Sequence, residues 1–252
     1  MVLQAQEGRL TTSAARILVA TAVPAERDAV ARAFTNGTTE EVRLPGSAPL
    51  LRTTGGYDLL AAGVGPALAA AGTATALTAA ALDGRPYALV VSAGIAGGFQ
   101  PEAPVGSLVV ADEITVADLG AETADGFLPV TELGFGAVSH RPPNSLVRVI
   151  AQATGAHPGS VLTVSTVTGT AARAAELRTR HPHALAEAME GFGVAEAAAA
   201  HGVPVLELRA VSNPVGPRDR AAWRIGDALA ALTEAFGKLV PALESWNPHD
   251  HR

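Results

Sequence analysis

Short apolar runs alternate along this chain with longer segments in which apolar residues recur at helical spacing. The runs predict buried strands at Arg16–Thr21, Tyr57–Ala62, Tyr87–Ser92, Ser107–Ile114, Ser160–Val167 and Val205–Val211. The longer segments predict helices at Ala25–Phe34, 66–82, Asn144–Thr154, Ala171–Arg180, Leu185–His201 and Ala221–Leu243. Strands that alternate with helices favour an α/β fold with a mainly parallel sheet, whose ligands bind beyond the carboxyl ends of the strands.

The segments between these elements predict one domain. Polar, glycine-bearing residues 35–56 predict a hairpin or loop, and residues 118–143 a long loop that could cover a pocket or form a subunit contact. We expect one domain over residues 15–245, because no linker or repeat divides it. Residues 1–14 are expected to be a disordered extension, and residues 246–252 a flexible tail.

Composition narrows the classes of function. There is no cysteine, which excludes disulfides and thiolate metal sites, and the net charge of −6 provides no basic surface for nucleic acid. Leu59–Leu82 is apolar, but its glycines, proline and threonines predict a strand, a turn and a buried helix rather than a membrane span. Residues 1–15 lack the apolar core of a signal peptide, so we expect a cytoplasmic protein without membrane association.

The stretch Ala188–Gly216 carries the most chemical information. Helical periodicity places Glu190 on the inward face, with Val194 and Ala197. A buried carboxylate needs a polar partner, so Glu190 is either a ligand-binding group or a glutamate favoured by the helix dipole. Downstream, a strand runs into a predicted polar turn at Ser212, Asn213 and Pro214.

Glycine, serine and threonine follow most of the predicted strands. They occur at Thr21–Glu26, Gly63–Gly65, Ala93–Gly98, Thr166–Thr170 and Ser212–Pro214. Glycine turns after strands are common singly, but together they let backbone amides approach a ligand closely. No Walker motif or complete dinucleotide fingerprint follows a strand, which disfavours a nucleotide triphosphatase or an NAD enzyme.

The order of these motifs resembles the nucleoside phosphorylase/nucleosidase superfamily. The motifs are TAVPAERDAV, GVGPALAA, SAGIAGGF with VGSLVVADE, AMEGFGVAEAAAAHG and RAVSNPVG, and they span about residues 16–240. The resemblance implies a single α/β domain whose mixed, mainly parallel and partly barrel-like central sheet is flanked by helices. It also implies a homo-oligomer in which a neighbouring subunit completes the pocket.

The resemblance implies a hydrolytic reaction. Glu26 stands where the hydrolytic branch keeps a glutamate that activates water and the phosphorolytic branch has an arginine for phosphate. A carboxylate repels phosphate and accepts a proton from water, although a glutamate in the first turn of a helix is equally explained by the helix dipole. The resemblance also implies that Glu190 binds the ribose hydroxyls. The other implied substrate contacts are Met189, Val64, Ile95, Ala96, Gly97, Thr168, Gly169 and Thr170.

Asn213 is the departure that discriminates between substrates. Relatives that release adenine have an aspartate here, whereas an amide offers one donor, which suits O6 of a 6-oxopurine, and one acceptor, which suits a protonated N7. The alternative is an ordinary turn asparagine before Pro214. Because an amide is no general acid, N7 needs another proton source. Asp219 is a weak candidate for this source, and the alternative is that it is a solvated loop charge.

Within the superfamily the chain is most similar to futalosine hydrolases. The resemblance implies release of hypoxanthine and dehypoxanthinylfutalosine from futalosine, in the futalosine route to menaquinone, without cofactor or metal. The alternatives are a 5′-methylthioadenosine/S-adenosylhomocysteine-type nucleosidase, a purine nucleoside phosphorylase and a nucleoside-binding module without catalysis. Candidates for the carboxylate tail of futalosine are Arg52, Arg141, Arg173 and Arg218, among which the sequence does not choose.

Overall fold

One mixed β-sheet organises the chain in the computed structural model, which describes residues 16–34, 38–46, 48–244 and 246. Its strands are β1 (Arg16–Thr21), β2 (Thr39–Val42), β3 (Leu50–Thr53), β4 (Tyr57–Ala61), β5 (Tyr87–Gly98), β6 (Leu108–Val116), β9 (Ser139–His140), β10 (His157–Thr163), β11 (Ala184–Ala188) and β12 (Val205–Pro214). A separate hairpin is formed by β7 (Gly120–Thr123) and β8 (Gly126–Pro129). The predicted extension 1–14 and residues 247–252 of the predicted tail lie outside the described residues.

The sheet closes on itself at one end. β1 pairs in parallel with β4 and β5, and β5 in parallel with β12. From β12 the sheet continues through β6 and β10 to β11, and β11 pairs back onto β5 in antiparallel orientation. The strands β5, β12, β6, β10 and β11 therefore form a small barrel, and the predicted mixed, partly barrel-like α/β architecture is confirmed.

Helices cover both sides of the sheet. They are α1 (Pro24–Ala31), α2 (Pro66–Leu82), α3 (Asn144–Thr154), α4 (Ala171–Arg180), α5 (Gly191–Ala200) and α6 (Ile225–Glu244). Helices α2 and α5 contribute to one apolar core, and α1, α3 and α6 to a second. Alternate residues of β1 serve both cores, since Leu18 faces the first and Val19 the second.

Several predicted elements are confirmed, and α3 and α4 have the predicted bounds. The start of the last helix is wrong. It begins at Ile225 rather than Ala221, because Arg220–Ala222 form a separate 3-10 turn in which the N–H of Ala221 donates to the Asp219 side chain. The prediction of a loop over 118–143 is also wrong in part, since it contains β7, β8 and β9.

The stretch around Glu190 differs most from the prediction. The single helix Leu185–His201 is wrong: Ala184–Ala188 are a strand, and the helix begins only at Gly191. Parallel pairing with β10 and antiparallel pairing with β5 outweigh the helix propensity of these small residues.

The strands that end near the site are longer than predicted. β5 continues through its glycines to Gly98, and β12 continues to Pro214, so Asn213 lies in a strand rather than in the predicted turn. Barrel closure gives both extensions strand partners, which the local glycine and proline signals do not reveal. Within the described residues, no helix has the length and apolar character needed to cross a bilayer.

Candidate active site

A cavity of about 440 Å³ opens at the carboxyl ends of the parallel strands, where β11 leads into α5. This is the edge at which α/β sheets bind ligands. The predicted site residues that line the cavity are Glu26, Val64, Ile95, Ala96, Gly97, Thr168, Met189, Glu190 and Asn213. Folding thus brings together motifs from almost the whole length of the chain.

Glu26 both caps a helix and faces the cavity. It lies in the first turn of α1, and its Oε2 accepts hydrogen bonds from the backbone N–H groups of Ala22 at 3.0 Å and Val23 at 3.4 Å. Its Oε1 accepts from the N–H of Ile95 at 2.9 Å. Only 4% of Glu26 is exposed. Burial raises its pKa, which the charge of Arg209 and the bond from Ile95 partly oppose.

A buried arginine, Arg209 of β12, lies behind Glu26. Its Nε donates to Oε1 of Glu207 at 2.8 Å, and its Nη2 donates to Oγ of Ser92 at 3.1 Å. Its Nη1 is 3.5 Å from Oε2 of Glu190. Burial would lower the pKa of Arg209, but the charges of Glu207, Glu190 and Glu26 raise it. Arg209 is therefore a fixed cation among three carboxylates.

Gly94 makes this convergence of charges possible. A Cβ at position 94 would lie 2.6 Å from Oε1 of Glu26 and 2.7 Å from Nη1 of Arg209. Both distances are shorter than carbon–oxygen or carbon–nitrogen contacts allow, so only glycine fits between the two side chains. The glycine that the sequence suggested for backbone approach to a ligand serves here to bring the Glu26 and Arg209 side chains together.

Glu190 lies between the β11 strand and the first residue of α5. Its Oε1 accepts from the backbone N–H of Gly65 at 3.2 Å, and it is 6% exposed. Gly65 has a φ of 86°, a conformation that favours glycine and that turns its N–H toward the carboxylate. The GVG segment and the Glu190 carboxylate thus orient each other on one side of the cavity.

Asn213 presents its side-chain amide at the other side. Its Oδ1 accepts from the Ser212 hydroxyl at 2.8 Å, and its Nδ2 donates to the carbonyl of Pro214 at 2.9 Å. The carbonyl of Pro214 can only accept, so these two bonds set which end of the amide is the donor. One N–H and one lone pair of the amide stay available to a ligand.

The chain that forms this cavity matches the model of a known protein family. The family model described as the phosphorylase superfamily matches residues 16–243. The chain belongs to the phosphorylase superfamily.

The relatives of this superfamily member include futalosine hydrolases. The futalosine hydrolase of Streptomyces coelicolor is 80% identical over 234 residues, which cover 93% of this chain and 99% of that protein. The structure of futalosine hydrolase from Helicobacter pylori has a TM-score of 0.77 at 17% identity, covering 90% of this chain and 98% of that one. A 5′-methylthioadenosine/S-adenosylhomocysteine nucleosidase from S. pneumoniae, solved with a transition-state inhibitor, has a TM-score of 0.76 at 21% identity, covering 90% and 99%. The resemblance to futalosine hydrolases is confirmed.

Some candidate residues lie away from the cavity of this superfamily member. Thr170 is the N-cap of α4, where its hydroxyl accepts from the N–H of Arg173, and the carbonyl of Gly169 accepts from the N–H of Arg218. Neither Thr170 nor Gly169 lines the cavity, whereas the two preceding residues, Val167 and Thr168, do. Asp219 also lies outside the lining, and its Oδ1 accepts from the N–H of Ala221 at 3.2 Å.

The arginines considered for a carboxylate tail are engaged elsewhere. Arg52 pairs with Asp58, Arg141 with Glu113, Arg173 with Glu176, and Arg218 lies over the Trp223 ring. Among the described residues that line the cavity, Arg220 is the sole arginine or lysine. It lies in the 3-10 turn next to Trp223, which also lines the cavity.

Sequence reasoning missed the Glu207–Arg209 pair. The signal was present, because two charged residues spaced by two fall on one face of a strand, within the otherwise apolar run Val205–Val211. It likewise missed Glu187, Arg220 and Trp223 of the cavity lining. These residues are placed by barrel closure and by the 3-10 turn, neither of which has a local signature.

Proposed function

We propose that this protein hydrolyses the N-glycosidic bond of futalosine and releases hypoxanthine and dehypoxanthinylfutalosine. The observation that carries the reaction class is Glu26, an almost fully buried carboxylate that faces the cavity. Its negative charge disfavours bound phosphate and its raised pKa improves it as a base. The substrate follows from the 80% identity to the S. coelicolor futalosine hydrolase.

In the proposed mechanism Glu26 accepts a proton from water as the water oxygen bonds to C1′ of the ribose. The bond between C1′ and N9 breaks, and its electron pair leaves with the purine, which gains a proton at N7 from solvent water. Positive charge builds on the sugar before the new bond is complete. The Glu190 carboxylate holds the ribose hydroxyls and stabilises that charge, while Met189 lies against the sugar.

Asn213 serves the leaving group in this proposal. The free N–H of its amide donates to O6 of the 6-oxopurine, and the free lone pair of Oδ1 accepts from protonated N7. The bond donated to O6 strengthens as electron density moves onto the departing base. The orientation imposed by Ser212 and Pro214 supports this assignment, because it keeps the donor and the acceptor at defined ends of the amide.

Further parts of the proposal concern the setting of the reaction. We place it in the futalosine route to menaquinone, in the cytoplasm, and in a homo-oligomer. Val64 and Leu68, at the turn into α2, are 51% and 60% exposed, and an apolar surface beside the cavity supports completion of the site by a second subunit.

Product analysis with and without phosphate tests the proposal. Futalosine, inosine and 5′-methylthioadenosine are incubated with the protein, and bases and sugars are separated by chromatography. We expect hypoxanthine from futalosine at a rate independent of phosphate. Adenine release from methylthioadenosine at a comparable rate would contradict the role of Asn213. A phosphate requirement with a ribose 1-phosphate product would make the protein a phosphorylase. Tight binding of futalosine without release of hypoxanthine would make it a nucleoside-binding module.

A further inference from the structure

Glu187 of β11 is a buried carboxylate in the cavity that the mechanism above does not use. It is 5% exposed and lines the same cavity as Glu26 and Asn213. Its Oε1 accepts from the backbone N–H of Thr168 at 2.8 Å, and its Oε2 accepts from the Thr168 hydroxyl at 2.5 Å. A carboxylate kept in a ligand cavity at the cost of its hydration calls for a functional explanation.

Strand register places Glu187 opposite Asn213 across Gly97. Glu187 pairs with Gly97 in the antiparallel contact of β11 with β5, and Asn213 pairs with Gly97 in the parallel contact of β12 with β5. Adjacent strands are about 4.8 Å apart, so the backbones at 187 and 213 are roughly 10 Å apart. Two polar side chains therefore flank the middle strand, with a glycine between them.

The glycine lets the Asn213 amide and the Val215 side chain pack closely over the middle strand. A Cβ at Gly97 would lie 3.3 Å from Nδ2 of Asn213 and 3.1 Å from Cγ2 of Val215. Directly opposed residues of an antiparallel pair have side chains on the same face, so Glu187 projects to the side on which Gly97 has none. Both side chains line the cavity, which can hold a flat ring with the amide at one edge and the carboxylate at the other.

The edges of the two purine classes differ at the atoms these side chains would meet. A 6-oxopurine carries a hydrogen on N1, next to O6, whereas N1 of a 6-aminopurine is a bare acceptor. An ionised carboxylate only accepts hydrogen bonds and has room for more than one bond on each oxygen. After its two bonds from Thr168, Glu187 can still accept from an N–H donor, but it repels an acceptor nitrogen.

We propose that Glu187 accepts a hydrogen bond from N1–H of the bound base and, together with Asn213, selects 6-oxopurines over 6-aminopurines. The inference rests on the proposed function and deepens it. Asn213 meets the N7 and O6 side of the base, and Glu187 meets N1 beyond O6. Thr168 supports this role, because its N–H and O–H hold the carboxylate in place. Burial raises the pKa of Glu187, and the two bonds from Thr168 partly oppose that rise.

The test compares Glu187→Gln with the parent protein on two substrates, futalosine and the same nucleoside with a 6-aminopurine base. Glutamine preserves the volume of the side chain but replaces one acceptor oxygen by a donor. We expect kcat/KM for futalosine to fall at least about tenfold, as for loss of a hydrogen bond to a charged group, while kcat/KM for the 6-amino nucleoside stays level or rises. Glu196→Gln, at an exposed glutamate of α5 bonded to His140, is the control and should change neither.

An equal loss on both substrates would assign Glu187 a purely structural role, and no loss would remove it from the site; either overturns the inference. Should Glu187→Gln fail to fold, Glu187→Asp takes its place. Aspartate retains the charge but withdraws it by one methylene, so the ratio of kcat/KM for futalosine to kcat/KM for the 6-amino nucleoside should fall. Calorimetric binding of free hypoxanthine and adenine to each variant needs no turnover. If the parent protein released no hypoxanthine from futalosine, the proposed function would fail, while this measurement would still decide the role of Glu187.

Discussion

Glu26 shows how a single side chain can be held for chemistry by ordinary helix-capping bonds. Its carboxylate accepts from the N–H groups of Ala22 and Val23, just before α1, and from the N–H of Ile95, so it is oriented before any ligand binds. The dipole explanation and the catalytic explanation of this glutamate are therefore compatible. The capping bonds aim the carboxylate, and burial raises its pKa.

Replacement of Glu26, the proposed base, should strongly reduce turnover and spare binding. We expect Glu26→Gln to lower kcat by about 10²- to 10⁴-fold, because the amide cannot take a proton from water, while hypoxanthine still binds. In the parent enzyme the acid limb of the kcat/KM profile should lie above the ordinary glutamate pKa of 4.5. Steady-state rates from acid to neutral pH measure both. Glu234→Gln, at an exposed residue of α6, is the control, and near-normal turnover of Glu26→Gln would exclude the base role.

The leaving-group preference should follow the side chain at position 213. We expect Asn213→Asp to shift the ratio of kcat/KM toward 6-aminopurine nucleosides, because a carboxylate accepts from the 6-amino group but cannot donate to O6. The shift should be about tenfold or more, as for a gained or lost hydrogen bond to a charged group. Competition between futalosine and its 6-amino counterpart measures it. An unchanged ratio would show that the base is read elsewhere.

At the scale of elements, the 3-10 turn Arg220–Ala222 supplies a cation to the mouth of the cavity. We expect Arg220→Met to raise KM for futalosine about fivefold or less, since an exposed ion pair contributes at most about 1 kcal/mol. The KM for inosine, which has no carboxylate tail, should not change. Initial-rate kinetics on the two substrates check this. Equal effects on both would place the tail carboxylate elsewhere.

The contact between α2 and α5 holds Glu190 against Gly65. A Cβ at Gly193 would lie 2.1 Å from the carbonyl oxygen of Pro66, the first residue of α2. We expect Gly193→Ala to cost about 1–3 kcal/mol of unfolding free energy and to lower activity, because the helix starts must separate. Gly237→Ala in α6 has nothing within 4 Å and should stabilise by up to about 1 kcal/mol. Urea unfolding of the two variants compares them, and equal effects would contradict this packing.

At the scale of the whole molecule, a buried ionic cluster links the site to stability. Glu26, Glu190 and Glu207 surround Arg209, and in the described part of the chain Oε2 of Glu207 has no hydrogen-bond partner. Removal of the arginine would leave buried carboxylates without a counter-charge, which typically costs about 3–5 kcal/mol. The molecule thus keeps an electrostatically costly arrangement beside the cavity that Glu26 and Glu190 line.

This cluster predicts a pH dependence of stability. Burial raises the pKa of Glu207, so between the ordinary glutamate value and that raised value the folded protein binds more protons than the unfolded chain. The stability contributed by this group is therefore fully present at low pH and is lost as pH rises through its folded pKa. We therefore expect the Glu207→Gln variant to become more stable relative to the parent as pH rises from 4.5, so that its free energy of unfolding increases in comparison. Urea unfolding across that range measures the difference, and a difference independent of pH would rule out this titration.

The sequence by itself determined the class of fold and much of the site. Apolar runs that alternate with helical segments encode burial, and burial follows local periodicity, so β1, α2, α3 and α4 were predictable from neighbouring residues. Glu26, Glu190 and Asn213 were identifiable because each lies in a recognisable motif at or just beyond the end of a strand, and strand ends of one parallel sheet meet at one edge.

Only the tertiary structure decided where distant groups meet. Closure of β11 onto β5 turned the predicted helix start at 185 into a strand and placed Glu187 opposite Asn213. Arg209 and Gly94 came together with Glu26 across separate strands. Such contacts depend on the register between segments far apart in the chain, which is set by packing of the whole sheet. Local periodicity and propensity carry no information about that register.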